Sequence, residues 1–212
     1  REFGIVVPEG AERGRQAMRT ALGHEALDQR IRDLVASLLD EIRALEQRIA
    51  DVDRSLASTA KDDPVVAQLE SLPGIGWVTA TAVRASIGDI HRFKTGRVLS
   101  SWLGFTPKEH SSGSTRQLGR MSKCGDVYCR TLLIQGARAV LAAAKRAQAA
   151  GKPLDRLRAW ALALAERRGF NKAAVGLANK LVRILWATWH HARSFDGDYG
   201  KRFDREIVMS NA

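Results

Sequence analysis

The chain is short of several things, and each shortage excludes a class of protein. It has two cysteines, Cys124 and Cys129, in 212 residues. That is too few for a disulfide framework. Their spacing is not that of a zinc hook, and no second Cys/His pair follows at metal-ligand spacing. Two ordinary thiols in a reducing cytosol account for them. No apolar run is long enough to span a bilayer, and no signal peptide is evident. No glycine loop ending in Lys-Ser/Thr marks a nucleotide site. Metal-dependent phosphoryl transfer needs clustered carboxylates, and no convincing set exists. Asp62 and Asp63 sit beside a helix break, Asp89 follows a hairpin and Asp126 reads as a helix cap. No strand ladder and no internal repeat are visible. The chain also opens "REFGIVVPEG" without an initiator Met, which points to a piece of a longer protein.

What is present in excess is positive charge. The net charge is +11 and the pI about 10.3, at an ordinary apolar content of 45%. That balance favours a polyanionic partner, nucleic acid before an anionic membrane. The length suits one good-sized domain, or a small domain plus an extension.

The organisation reads as all-α: a long coiled-coil helix, then a compact helical domain. Residues 1–23 look irregular, broken by five glycines and prolines. Over 24–60, Ile31, Val35, Leu38, Ile42, Leu45, Ile49, Val52 and Leu56 recur four and three residues apart. This a/d seam predicts a helix that pairs along its length, in a dimer or in an intramolecular antiparallel pair. Pro64 ends it. Short helices are predicted over Val65–Leu72, Trp77–Ile87 and Leu99–Gly104. Longer ones follow over Gly125–Ala149 and Leu154–Arg167, and a final helix is capped by Asn171. These fill 64–195, and a polar, mobile tail occupies 196–212.

Charge is unevenly spread. Residues 31–56 hold four basic and six acidic residues, whereas 91–130 hold eight basic and two acidic ones. Within the latter lies "KEHSSGSTRQLGRMSKCGD", residues 108–126. Lys108, Arg116, Arg120, Lys123 and Arg130 make a dense cationic patch, with Lys94 and Arg97 upstream and Lys180 on the last helix. Cations at this density grip phosphates. Gly113, Gly119 and Gly125 point to a shaped loop. Ser111, Ser112 and Ser114 lie among the cations. A serine hydroxyl is a poor nucleophile unless activated, and spacing alone leaves each a turn residue. "LESLPGIGWVTATAVRASIGD", residues 69–89, resembles a helix-hairpin-helix motif. There Gly74 and Gly76 would let backbone amides at a helix start approach a phosphate without reading base sequence.

Four blocks together resemble one family: "FGIVVPEG", "LPGIGWVTATAVRASIGD", "FKTGRVLSSWLGFTPKEHSSGSTRQLGRMSKCGDVYCRTLLIQGARAVL" and "ERRGFNKAAVGLANKLVRILWA". It is the transposases of insertion-sequence family 110, subgroup 1111, and the resemblance runs from about residue 3 to residue 195. It implies a recombinase guided by a structured bridge RNA, with a metal-binding RuvC-like domain, a coiled coil and a transposase domain bearing a required serine. The RuvC-like part would lie outside this chain, and Mg²⁺ with it, leaving no metal site here. In the family a Pro is followed five residues later by Ser-Gly. Here Pro107 leads to Ser112-Gly113, so the resemblance assigns the nucleophile to Ser112, with Ser111 as runner-up. It also implies DNA and guide RNA as partners, a dimer through the coiled coil or a tetramer, no membrane, and a cytoplasmic, nucleoid-associated prokaryotic setting. The competing expectation is a non-catalytic helix-hairpin-helix module that only binds nucleic acid.

Overall fold

A computed structural model describes residues 5–24 and 27–197. The chain divides into two compact units between Ser58 and Thr59. In the first, α1 (Ala11–Ala21) and α2 (Gln29–Asp62) are joined by an ion pair from Arg15 to Glu46. The α1 helix corrects the expectation that residues 1–23 are irregular. Gly10 and Gly14 read as breakers, but Gly10 only caps the helix and Gly14 is buried within it, close to the Pro8 carbonyl. The long helix α2 exposes its apolar seam: Leu38, Ile42, Leu45, Ile49, Val52 and Leu56 all face solvent.

The second unit takes in the last turn of α2, which stops before Pro64. Asp63 caps α3 (Pro64–Glu70), accepting from the Val65 amide at 2.8 Å, with Pro64 in the first turn where its missing N–H costs nothing. After a tight turn comes α4 (Trp77–Ile87), with the limits the sequence indicates. A 3₁₀ turn (Ile90–Arg92) leads to α5 (Gly96–Trp102), capped by Thr95. Then follow α6 (Val127–Ala149), α7 (Arg156–Arg168) and α8 (Phe170–His190). The centre of this unit is α8, which packs against α5, α6 and α7. Its apolar face, including Ala174, Leu177, Ala178, Leu181, Val182 and Leu185, is buried. The alanines allow close helix approach while the leucines and valine fill the space between.

Two details depart from the sequence reading. The cap of α8 is Gly169, at φ +82, so Asn171 lies inside the helix. And residues 107–121, read as a loop without strands, form a small antiparallel hairpin: β1 (Pro107–Glu109) pairs with β2 (Leu118–Met121). All its strand residues but Met121 are exposed, so it lacks the alternating apolar pattern that normally betrays a strand. The fold is otherwise all-α. Most of the expected tail, from residue 198 on, lies outside the described residues.

Candidate active-site hairpin and nucleic-acid interface

The hairpin is rooted at its base and bare at its tip. Phe105 donates its amide to Ser100 O, Ser122 to Thr106 O and Lys123 to Gly104 O, at 2.8–3.1 Å. At the root, chain crosses chain so closely that a Cβ on Gly104 would stand 2.0 Å from the Cys124 carbonyl. Gly104 also holds φ +77, so only glycine serves here. The Arg130 guanidinium, 6% exposed, donates through Nη1 to the carbonyls of Leu103 at 3.0 Å and Cys124 at 3.3 Å. It ties the end of α5 to the chain that leaves β2. This corrects its assignment as a nucleic-acid contact: a buried charge spends its donors on carbonyls that would otherwise be orphaned.

Asp126 completes the root. It caps α6 by accepting from the Cys129 amide at 3.0 Å, and it accepts from Ser86 Oγ on α4 at 2.6 Å. The Ser86 bond, then the cap, hold its carboxyl below its ordinary value of 3.8. Behind it, burial pushes the Cys129 thiol up to about 11, so this cysteine is an inert packing group.

At the tip, Ser112 and Thr115 exchange backbone hydrogen bonds at 3.2 and 3.1 Å around Gly113-Ser114. Gly113 holds φ +56, the first-position geometry of a two-residue hairpin turn. The two candidate serines are thereby distinguished. The Ser111 hydroxyl donates to Glu109 Oε1 at 2.7 Å and accepts from the Gln117 amide at 3.2 Å, so it is occupied in holding the hairpin together. Ser112 is exposed, and its hydroxyl has no hydrogen-bond partner among the described residues. Lys108, Arg116, Arg120 and Lys123 are all exposed on the same hairpin and its exit. Arg116 lies 3.9 Å from Glu109, too long for a hydrogen bond and worth little between exposed groups.

Pro73 to Gly76 makes the turn between α3 and α4. Gly74 (φ +78) lies against α6: a Cβ there would stand 2.6 Å from the Gly136 carbonyl, and one on Gly136 would stand 2.0 Å from the Gly74 carbonyl. Gly74 thus serves backbone-to-backbone packing within the fold. Gly76 has open space where a Cβ would be, and it starts α4 without a side-chain cap. The turn itself, from Ser71 to the N-cap Gly76, borders a groove of about 570 Å³. Glu70, Asp155 and Arg158 also line it, with Arg158 paired to Asp155 at 2.5 Å.

Residues 66–152 match the family described as "Transposase IS116/IS110/IS902 family", a span that covers most of α3, all of α4 and the whole hairpin. Over these residues the chain is similar to that transposase family. It is 40% identical to a family 20 transposase of Pseudomonas aeruginosa over 88% of this chain and 54% of that protein. It is 39% identical to the transposase for insertion sequence element IS1111A of Coxiella burnetii, over 88% of this chain and 50% of that one. It is 31% identical to the transposase for insertion sequence element IS1328 of Yersinia enterocolitica, over 87% and 53%. The chain therefore spans about half the length of the curated relatives it matches.

The other expected contacts form a second group. Lys94 and Arg97 are exposed on either side of Gly96, whose Cβ position is 3.0 Å from the Arg183 backbone on α8. One turn back along α8, the Lys180 ammonium lies 4.1 Å over the Trp160 ring. Burial, then Arg183 and Arg156, hold the Lys180 pKa below its ordinary value. Sequence reasoning missed Trp160 and Arg183, because their meaning depends on the packing of α7 on α8. Among the described residues, no three His, Cys, Asp or Glu side chains are grouped as a metal ion would need. No helix of the described residues is long and apolar enough to cross a membrane.

Proposed function

We propose that this chain is the serine-bearing part of an insertion-sequence DNA transposase. Its hairpin presents Ser112 to a phosphodiester while Lys108, Arg116, Arg120 and Lys123 hold the flanking phosphates. The observation that carries the reading is the contrast at the tip: Ser111 is spent on structure and Ser112 is presented bare among cations. In the reaction, Ser112 Oγ forms a bond to phosphorus and one P–O bond to a sugar oxygen breaks. The sugar leaves as a hydroxyl carrying the proton lost by the serine. The phosphoserine conserves the bond energy, so a strand hydroxyl can reverse the step on a new partner without a high-energy cofactor. The cations spread over the hairpin stabilise the added charge of the transition state.

The α3–α4 turn, read as a helix-hairpin-helix, adds contacts to backbone phosphate from the amides at Gly76 and the start of α4. In this reading the partners are DNA and a structured guide RNA. The exposed seam of α2 pairs protomers, and a RuvC-like region supplies the carboxylates and Mg²⁺ that these residues lack.

The test is a pair of substitutions in the full-length protein. Ser112→Ala is expected to abolish strand cleavage and recombination while DNA binding persists; Ser111→Ala is expected to retain most activity. Denaturing gels and mass spectrometry of a trapped adduct read the outcome. Recombination by Ser112→Ala at the unaltered rate would leave only the non-catalytic binding module.

A further inference from the structure

A cavity of about 780 Å³ lies between α7, α8 and the segment that follows α8, and no hairpin residue lines it. Its wall is mostly apolar, built from Trp160, Ile184 and Phe195, and its rim carries Lys180, Arg183 and Arg193. Asp196 is the one carboxylate among its described lining residues. Arg183 and Arg193 are exposed and have no acidic partner among the described residues. Lys180 is held over the face of Trp160, so a cation and an aromatic surface are fixed in one place. From Arg183 the positive rim continues to Lys94 and Arg97, because α5 starts against the Arg183 backbone.

A site with a flat apolar wall and a cationic rim selects an amphiphilic anion. An inorganic phosphate would leave the wall unused, and a neutral ring would leave the cations unused. A nucleotide satisfies both. In a duplex the base faces are stacked on one another and only edges are offered; an unpaired nucleotide offers its face. We infer that this cavity binds one unpaired nucleotide of a single-stranded segment, its base against Trp160 and Phe195, its phosphates on Lys180, Arg183 and Arg193. The strand then leaves along Lys94 and Arg97. This rests on the nucleic-acid reading of the chain but not on the role of Ser112. The site would hold a displaced or unpaired strand while the hairpin works on another.

The test uses the full-length protein and fluorescence anisotropy with six-nucleotide single strands of RNA and of DNA, the same strands with an abasic position, and a short duplex. Trp160→Leu is expected to weaken single-strand binding about tenfold, within the range for loss of one base stack. Trp160→Phe is expected to stay near wild type, and the duplex affinity to be unchanged. Arg183→Ala with Arg193→Ala is expected to weaken binding and to lower the salt slope by about 1.4, at about 0.7 per neutralised phosphate on a single strand. A 5-bromouridine strand should cross-link to Trp160 or Phe195. Tighter binding of the RNA strand, or of the DNA strand, supports the site and names which one occupies it. Equal affinity of abasic and intact strands would overturn the inference, as would cross-links confined to the hairpin. If Trp160→Leu lowers the melting temperature, the double arginine variant, altered only on the surface, and the cross-link decide. Ser112→Ala should bind these strands unchanged, so failure of the nucleophile and failure of this site are read separately.

Discussion

Gly74 and Gly76 stand two residues apart and answer to different constraints. Gly74 needs a left-handed φ and touches the Gly136 backbone, so a methyl group there meets both strain and a carbonyl oxygen. Gly74→Ala is expected to cost at least about 2 kcal/mol in urea melts, from the left-handed penalty plus displaced backbone. Gly76→Ala meets open space at an ordinary φ of −92°, and should stay within about 0.5 kcal/mol. The sequence displays both glycines equally. What separates them is Gly136, far along the chain in α6, and no local pattern announces that meeting. The same limit applies to Arg130. It reads as one more cation in a basic stretch until the fold encloses it among carbonyls. Ser112, in contrast, is singled out only by the family resemblance, through its spacing from Pro107, and the hairpin adds how its surroundings differ from those of Ser111.

The helices with strong local punctuation were legible. Trp77–Ile87 is bracketed by Gly76 and Gly88, and Asp126 announces α6 as a polar cap before an apolar run. The hairpin was hidden because its strands are three and four residues long and nearly half charged. Its order comes from its root and from the Ser111 hydroxyl, not from an apolar face. Asp126 gives that root a pH signature. Its carboxyl is lowered in the folded chain, so the folded state prefers the ionised form. Its stabilisation is complete well above the ordinary value of 3.8 and is lost as pH falls through the lowered folded value. Asp126→Asn should therefore flatten the decline of melting temperature below about pH 4 while keeping the cap. Asp126→Ala should cost about 1 kcal/mol at neutral pH.

For the molecule as a whole, the two compact units carry charge differently, and partners should separate accordingly. Duplex binding should fall steeply with salt. Removing Lys108, Arg116, Arg120 or Lys123 singly should reduce the log–log slope by about 0.9 for each phosphate no longer neutralised, measured by titrations across salt. The exposed seam of α2 predicts self-association of a different kind, driven by apolar burial. Ile49→Glu should shift sedimentation toward monomer and leave the melting of the second unit unchanged. This seam was plain in the sequence because its period is long and unbroken. The cavity beside Trp160 was not, because it exists only where three separate segments meet.

The hairpin also works as a ruler. A strand advances about 3.4 Å per residue and turns its side chains over at every step. Lengthening β1 and β2 by two residues each would carry Ser112 about 7 Å farther from α5 and still present it on the same side. Lengthening each by one would move it half as far and turn it away. Reach and facing of residue 112 are thus set in discrete steps, and only steps of two residues per strand keep the facing.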